Sequence, residues 1–177
     1  MKRNILIAFA ASSLLFYSTQ AFALINFSVG IPFSHSFTGN WYDGDAVKSD
    51  GVSGTFIQVG VPMLPGIGMD SYKTKLKDST AELATMIYNL YYQLPIPIIS
   101  LTLGAGVGST ELQCATCSSY DKGTANQWYA SLGMPIIPLF DLHLSYRSVS
   151  SKIKALSGGG ELDVGGNVMG VGIGFNF

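Results

Sequence analysis

The end of the chain, residues 169–177, alternates strictly between large apolar residues and glycine or asparagine. A period of two predicts a β-strand. In a soluble sandwich the second face would carry polar residues for contact with water, whereas here it carries almost only glycine. The pattern favours a narrow closed barrel with small residues in the lumen and large residues toward lipid. The residues predicted to face lipid are Met169, Val171, Ile173, Phe175 and Phe177.

Similar alternation recurs along the chain and predicts eight strands in all. They cover residues 27–37, 55–61, 66–74, 82–94, 99–108, 127–134, 140–147 and 169–177. The fold class that follows is all-β, an eight-stranded antiparallel up-and-down transmembrane β-barrel.

The seven connections between these strands are of two alternating kinds. Short, apolar connections that contain proline lie at 62–66, 95–98 and 135–138, and long, polar connections lie at 39–53, 73–81, 109–125 and 149–164. Since alternate connections of antiparallel strands lie at opposite ends, one end of the barrel carries all the long loops. Outer-membrane barrels have this asymmetry.

Six of the seven prolines lie in the short connections, where a missing N–H costs no ladder bond. The seventh, Pro32, lies inside the first strand and predicts a bulge or a late start there. In this strand His35 interrupts the apolar face, which consists of Phe27, Val29, Ile31, Phe33 and Phe37.

Most charged residues fall in the four long connections. After residue 23, the charged residues outside these connections are Asp70, Glu82, Asp141 and Arg147, and alternation points Asp141 and Arg147 toward the lumen. A charge on the lipid face at mid-depth would cost about 2–4 kcal/mol, so this distribution is expected of a membrane barrel.

The first 23 residues have the pattern of a cleaved secretory signal peptide: Lys2 and Arg3, an apolar run, and Ala21-Phe22-Ala23. The apolar run is too short for a spanning helix. Residues 24–177 then form a single barrel domain. Without Lys2 and Arg3, eight basic residues accompany eleven acidic ones, so we expect no nucleic-acid partner.

Together these features resemble the small eight-stranded outer-membrane barrels of Gram-negative bacteria. Residues 55–69 resemble an uncharacterised group of such proteins that has a Val-Pro-Leu-Leu-Pro turn after the second strand. In this class a terminal aromatic residue addresses the chain to the barrel-assembly machinery. The resemblance assigns that signal to Gly172, Phe175 and Phe177, although Gly170 replaces a residue that is usually polar.

Cys114 and Cys117 lie in the third long connection. Export predicts a disulfide between them. Zinc would need two further ligands, and neither His35 nor His143 lies in a nearby loop. A thioredoxin-like role would require a βαβ context that is missing. We therefore expect no metal and no cofactor.

Polar residues on lumen faces predict a hydrogen-bonded network inside the barrel. Its members are Gln58, Tyr91, Tyr129, Asp141, His143 and Arg147. The alternative is a hydrolase, since His143-Leu-Ser145 is similar to the His-x-Ser pair of an outer-membrane lipid A deacylase family. That family works at its lipid-facing surface, whereas these residues point inward. We expect no catalytic residues.

Aromatic residues are expected to form belts at both membrane interfaces. The outer belt would contain Trp41, Tyr42, Tyr72, Tyr120, Trp128 and Tyr146, and the inner belt Phe27, Tyr92, Phe140, Phe175 and Phe177. Trp41 and Tyr42 are also candidates for binding a surface ligand, since loops commonly carry function.

The function indicated is that of a cell-envelope barrel with a lumen filled by side chains and a structural or surface-interaction role through its four external loops. The expected partners are outer-membrane lipid, lipopolysaccharide, the barrel-assembly machinery and an unknown surface ligand. A narrow channel for a small or apolar solute is the second possibility, and a lipid-modifying enzyme is the third.

Overall fold

The computed structural model describes residues 25–40, 46–94, 96, 99–114, 121–137, 139–154 and 160–177. The predicted signal peptide, residues 1–23, lies outside them. No helix in the described part of the chain is long and apolar enough to cross a membrane. The regular elements are β1 (Asn26–Phe37), β2 (Ser49–Gly60), β3 (Gly66–Leu76), β4 (Glu82–Leu94), β5 (Ser100–Gln113), β6 (Gly123–Ile137), β7 (Phe140–Lys154), β8 (Glu161–Asp163) and β9 (Gly166–Asn176).

The strands form one closed antiparallel sheet. Each strand from β1 to β7 pairs with the next, and β9 closes the ring between β7 and β1. The short β8 continues β9 in the same register, because Asp163 pairs with Lys152 and Gly166 pairs with Val149. The barrel therefore has eight strands, and the predicted up-and-down transmembrane barrel is confirmed.

The predicted irregularity at Pro32 is present as a bulge. Pro32 pairs with Gly170 and Ser34 pairs with Met169, so Phe33 is the extra residue. The bulge exchanges the two faces of β1, which explains how His35 comes to be buried. Phe37 was predicted to face lipid, and this is wrong, because after the bulge it packs against buried residues inside the barrel.

The outer connections are shorter than predicted, because the strands continue into them. β3 reaches Leu76, β5 reaches Gln113 and β7 reaches Lys154. β6 and β7 have 15 residues each, whereas about 9–11 tilted residues cross a membrane. The strands therefore project beyond the bilayer on the side of the long connections, and Lys73, Lys75, Lys152 and Lys154 lie on strands.

At the inner end, Pro62 and Pro65 lie in the turn between β2 and β3, as predicted. Pro135 does not lie in a turn: it is part of β6 and pairs with Asp141. Pro95, Pro97 and Pro138 lie outside the described residues.

The polarity of the two strand faces is reversed where the strands leave the membrane. On β7, Leu142 and Leu144 face outward in the membrane, whereas Ser150 and Lys152 face outward beyond it. In the projecting part most buried side chains are apolar, with a few hydroxyl groups among them. The apolar ones form the outer core, which consists of Val47, Leu76, Ala81, Leu83, Leu112, Ile153, Leu162 and Val164.

We expect Leu83→Ala to destabilise the protein by about 2–5 kcal/mol, because Leu83 is buried in the outer core and a cavity would remain. Denaturant unfolding in lipid vesicles measures the change. Leu90→Ala is the control, since Leu90 lies outward on the same strand. An unfolding free energy that Leu83→Ala leaves unchanged would mean that the outer core does not stabilise the barrel.

Candidate functional site in the barrel lumen

The lumen contains three levels of side chains. A polar network occupies the inner end, a buried ion pair lies at the centre, and mainly apolar residues fill the outer half, where the His35 ring also bonds the Thr74 hydroxyl at 2.7 Å. The apolar half begins with a second cluster, the upper lumen cluster, next to the ion pair. Its buried members are Phe56, Tyr72, Ile87, Ala125, Val149 and Val168.

The ion pair joins opposite walls of the barrel. Asp70 lies on β3 and Arg147 on β7, which are four strands apart in either direction around the ring. Arg147 Nε donates to Asp70 Oδ2 at 2.9 Å, and the two side chains are 2% and 0% exposed. A charged pair thus crosses the lumen out of contact with bulk water.

Further contacts hold this pair in place. Gln127 Nε2 donates to Asp70 Oδ2 at 2.6 Å and to Asn89 Oδ1 at 2.9 Å. The Arg147 guanidinium lies 3.5 Å from the centre of the Phe56 ring, a cation–π contact. Such partners are needed, because a buried charge is costly unless it is paired and hydrogen-bonded.

The inner network links residues from several strands. Gln58 Nε2 donates to the Tyr129 hydroxyl at 2.8 Å, and the Tyr91 hydroxyl donates to Asn26 Oδ1 at 3.0 Å. Asn26 Nδ2 in turn donates to Gln93 Oε1 at 2.6 Å. These bonds satisfy polar groups that the narrow interior would otherwise leave without partners.

Asp141 and His143 also lie inside, nearer the inner opening. Asp141 Oδ2 accepts a hydrogen bond from Asn176 Nδ2 at 3.0 Å. The His143 ring lies against two glycines, Gly133 and Gly174, where an added Cβ would lie within 3 Å of ring atoms. The six predicted lumen residues therefore all lie inside, but they do not form one continuous cluster.

The Ser145 hydroxyl is not directed at His143. It donates to the Gly170 carbonyl oxygen at 3.1 Å and accepts a hydrogen bond from Arg147 Nη1. A nucleophilic serine needs a base within hydrogen-bonding reach of its proton. This arrangement instead suits a structural role for Ser145 beside the ion pair.

The described part of the inner lumen contains two small cavities, each of about 20 Å³. One lies among Asn26, Gln93 and Asp141, and the other lies between Phe56 and Arg147. A volume of this size holds about one water molecule.

Sequence reasoning missed the central role of Asp70. Residues 66–74 alternate less clearly than the other strands, and the prediction gave Asp70 no face. The sequence did contain a signal for the inward face of this strand. Small or polar residues occupy alternate positions, which lie on one face of a strand: Gly66, Gly68, Asp70 and Thr74. Tyr72 lies on this face too, so its assignment to the outer aromatic belt is wrong: the side chain is buried in the upper lumen cluster.

Several predicted sites lie at the margins of the described structure. Cys114 is disulfide-bonded and packs against the outer core, but Cys117 lies outside the described residues, so the predicted Cys114–Cys117 bond stays a prediction. Trp41, Tyr42 and Tyr120 also lie outside them.

The aromatic residues at the inner rim form a connected group around the last strand. The Phe175 ring lies 5.1 Å from Phe140 and 6.3 Å from both Phe27 and Phe177, measured between ring centroids. Phe177 exchanges backbone hydrogen bonds with Ile25. The predicted assembly signal thus includes residues that also close the barrel.

Comparison with known proteins supports the fold. The crystal structure of Neisserial surface protein A aligns with a TM-score of 0.61 and 12% identity, over 86% of this chain and 96% of that chain. The N-terminal β-barrel domain of Pseudomonas aeruginosa OprF aligns with a TM-score of 0.57 and 12% identity, over 88% and 98%. This chain has the fold of the small eight-stranded outer-membrane barrels. No protein-family model matches the sequence of this barrel, and no curated protein matches it.

We expect Arg147→Met to cost about 3–5 kcal/mol of unfolding free energy, because it leaves the Asp70 carboxylate buried without its cation. Adding Asp70→Asn should restore much of the loss by removing the uncompensated charge. Denaturant unfolding of the two single variants and the double variant measures the coupling.

The matched control is the exposed pair of Lys73 and Glu82, whose charged atoms are 3.8 Å apart. Lys73→Met should cost at most about 1 kcal/mol, as is usual for surface pairs. If Arg147→Met were no more damaging than Lys73→Met, the central pair would not be the structural support described.

Proposed function

We propose that this protein is an integral outer-membrane barrel that conducts no solute along its axis and acts at its external end, in envelope structure or surface interaction. The observation that carries the proposal is the Asp70–Arg147 ion pair across the lumen, with the outer core beyond it. A solute moving along the axis would have to break this ion pair and displace the side chains of the outer core.

The size of the two cavities in the inner half of the lumen supports the same conclusion. Each of the two inner cavities has room for about one water molecule. A narrow channel for a small solute is therefore the less favoured alternative. Eight-stranded barrels generally have interiors just wide enough for side chains.

An outer-membrane location is supported by the fold, by the signal-peptide pattern of residues 1–23 and by the outward apolar band. Lipopolysaccharide, outer-membrane lipid and the barrel-assembly machinery are the partners such a location implies. In this proposal Gly172, Phe175 and Phe177 form the assembly signal.

A non-enzymatic role is supported by the hydrogen bonds of Ser145, which with His143 forms the candidate catalytic pair. Ser145 is held by Gly170 and Arg147, because its hydroxyl donates to the Gly170 carbonyl oxygen and accepts from the Arg147 guanidinium. A lipid substrate would also have to reach residues that lie inside the barrel. We therefore propose that the His143-Leu-Ser145 sequence contributes to lumen packing.

Planar-bilayer recording tests the filled lumen. The purified protein should give no reproducible conductance steps, whereas an open porin recorded in the same bilayer should. The proposal would be overturned by steps that recur in the wild-type protein and disappear in Gly104→Leu. Gly104 faces the lumen against the Tyr129 ring, so a bulky residue there would obstruct any passage.

Substitution of Trp41 and Tyr42 tests the proposed role in surface interaction. In intact cells, the variant with Trp41→Ala and Tyr42→Ala should keep heat-modifiable migration in detergent gels and lose binding to a panel of glycans and extracellular-matrix proteins. Unchanged binding, or no binding by the wild-type protein, would contradict a ligand site at these two residues.

A further inference from the structure

The connections at the inner end of the barrel are apolar. We call residues 61–65, 95–98 and 135–139 the inner rim. None of these residues is Asp, Glu, Lys or Arg. Soluble surfaces rarely expose many large apolar side chains together, so we expect the rim to contact an apolar partner. Its exposed large apolar residues in the described part of the chain are Val61, Met63, Leu64, Ile136, Ile137 and Leu139.

The rim continues the lipid-facing surface on several sides of the barrel. Residues 61–65 join β2 to β3, and residues 135–139 include the connection from β6 to β7, four strands away around the ring. Ile25 and Phe177, beside β1 and β9, are exposed as well. The rim therefore lies all around the inner opening and directly below the outward apolar faces of the strands.

The outward apolar face of β3 is too short to cross the membrane by itself. Its outward residues are Ile67 and Met69, followed by Ser71 and Lys73. Lys73 lies about 16 Å from Ile67 along the barrel axis, at about 3.4 Å per residue and a tilt of about 40°. The lipid-facing band of such barrels is about 25 Å tall. Apolar surface must therefore continue beyond Ile67 at the inner end, where residues 61–65 lie.

The opposite wall of the barrel leads to the same conclusion. The outward apolar residues of β7 extend from Phe140 to Tyr146, which also covers about 16 Å along the axis at the same rise and tilt. Ser148 follows on the outer side. On the inner side Ile137 pairs with Phe140, and Leu139 lies beyond both. The apolar band thus reaches its full height only when it includes the rim.

The backbone of the rim has few N–H groups that need water. Such groups are costly where water is scarce, and Pro62 and Pro65 have none. Leu64 N–H donates to the Val61 carbonyl oxygen at 3.0 Å. In the other two parts of the rim an N–H donates to the carbonyl oxygen two residues earlier, at 2.9 and 2.8 Å: Ile96 to Leu94 and Leu139 to Ile137.

Met63 is a large residue in a backbone conformation that favours a small one. Its φ angle is 67°, in the left-handed region that glycine and asparagine adopt most readily. The Met63 side chain is 69% exposed, so it gains little from packing within the protein. An unfavourable backbone conformation with an exposed apolar side chain indicates a contact outside the chain.

We propose that the inner rim is a lipid-binding surface that lies among the headgroups and upper acyl chains of the inner-leaflet phospholipids. Phospholipid is favoured over a protein partner because the rim continues the lipid-facing band on opposite walls and has no charged residue to orient a protein. The barrel is then displaced toward the inner leaflet, and more of its outer strands lie in water. The inference rests on the membrane location in the proposed function and is independent of the filled lumen.

Fluorescence quenching by brominated lipid tests this surface. The full-length mature protein, with Cys114 and Cys117 replaced by serine, receives a single bimane-labelled cysteine and is folded into phosphatidylcholine vesicles. The lipid carries bromine near the headgroup end of one acyl chain. We expect quenching at Met63→Cys to be close to that at the lipid-facing control Leu90→Cys, and several-fold greater than at Lys152→Cys, which lies beyond the membrane.

Quenching at Met63→Cys no greater than at Lys152→Cys, with Leu90→Cys quenched, would overturn the proposal and leave the rim to water or to a protein partner. Absence of quenching at Leu90→Cys would contradict the membrane location as well. Conductance by the wild-type protein would contradict the filled lumen without changing the quenching at the rim. The failure of this inference is therefore distinguishable from the failure of the proposed function.

Met63→Asn tests the same contact without a label. Asparagine suits the backbone at this position better than methionine does, so a rim in water would be unchanged or more stable. A rim in lipid should instead lose stability, seen as a lower midpoint of denaturant unfolding in vesicles. The matched control is Asp78→Asn, at a position with a φ angle of 58° in the outer connection between β3 and β4, which should not lower the midpoint. A midpoint that Met63→Asn leaves unchanged or raises would overturn the proposal.

Discussion

The strands of this barrel pass from lipid into water along their length, and this change of surroundings determines the placement of most side chains. Within the membrane the outward face is apolar and the narrow lumen holds glycine and polar residues. Beyond the membrane the outward face is polar and the lumen becomes a mainly apolar core, which also buries a few polar groups, as in a soluble protein. Strand alternation continues unchanged, and only the chemistry of the two faces is exchanged.

The Asp70–Arg147 pair lies close to this exchange, between the inner polar network and the upper lumen cluster. Two charges can be buried there because each also has hydrogen-bonding or aromatic partners from other strands. The pair ties opposite walls together, and the apolar residues above it keep water away. In the proposed function, support of the barrel and closure of its axis depend on the same contacts.

Much of the fold was predictable because period two is a strong signal where one face meets lipid. Residues 169–177 and the bulge at Pro32 followed from local pattern alone. The lengths of the outer loops did not, because Lys73, Lys75 and Lys152 have the polarity of loop residues, and the buried positions that alternate with them include polar Thr74 and Ser151. The Asp70–Arg147 contact joins residues 77 positions apart, and alternation specifies a face but not the partner across the lumen.

The exchange of faces is tested most directly by cysteine scanning of β7 in vesicles, with Cys114 and Cys117 replaced by serine. A water-soluble maleimide should leave cysteines at Leu142 and Leu144 unmodified and should label those at Ser150 and Lys152. Cysteine at Ile153, in the outer core, should stay unmodified. Labelling at Ile153 would show a hydrated outer end, and protection at Lys152 would place that position in lipid; either result would contradict the account.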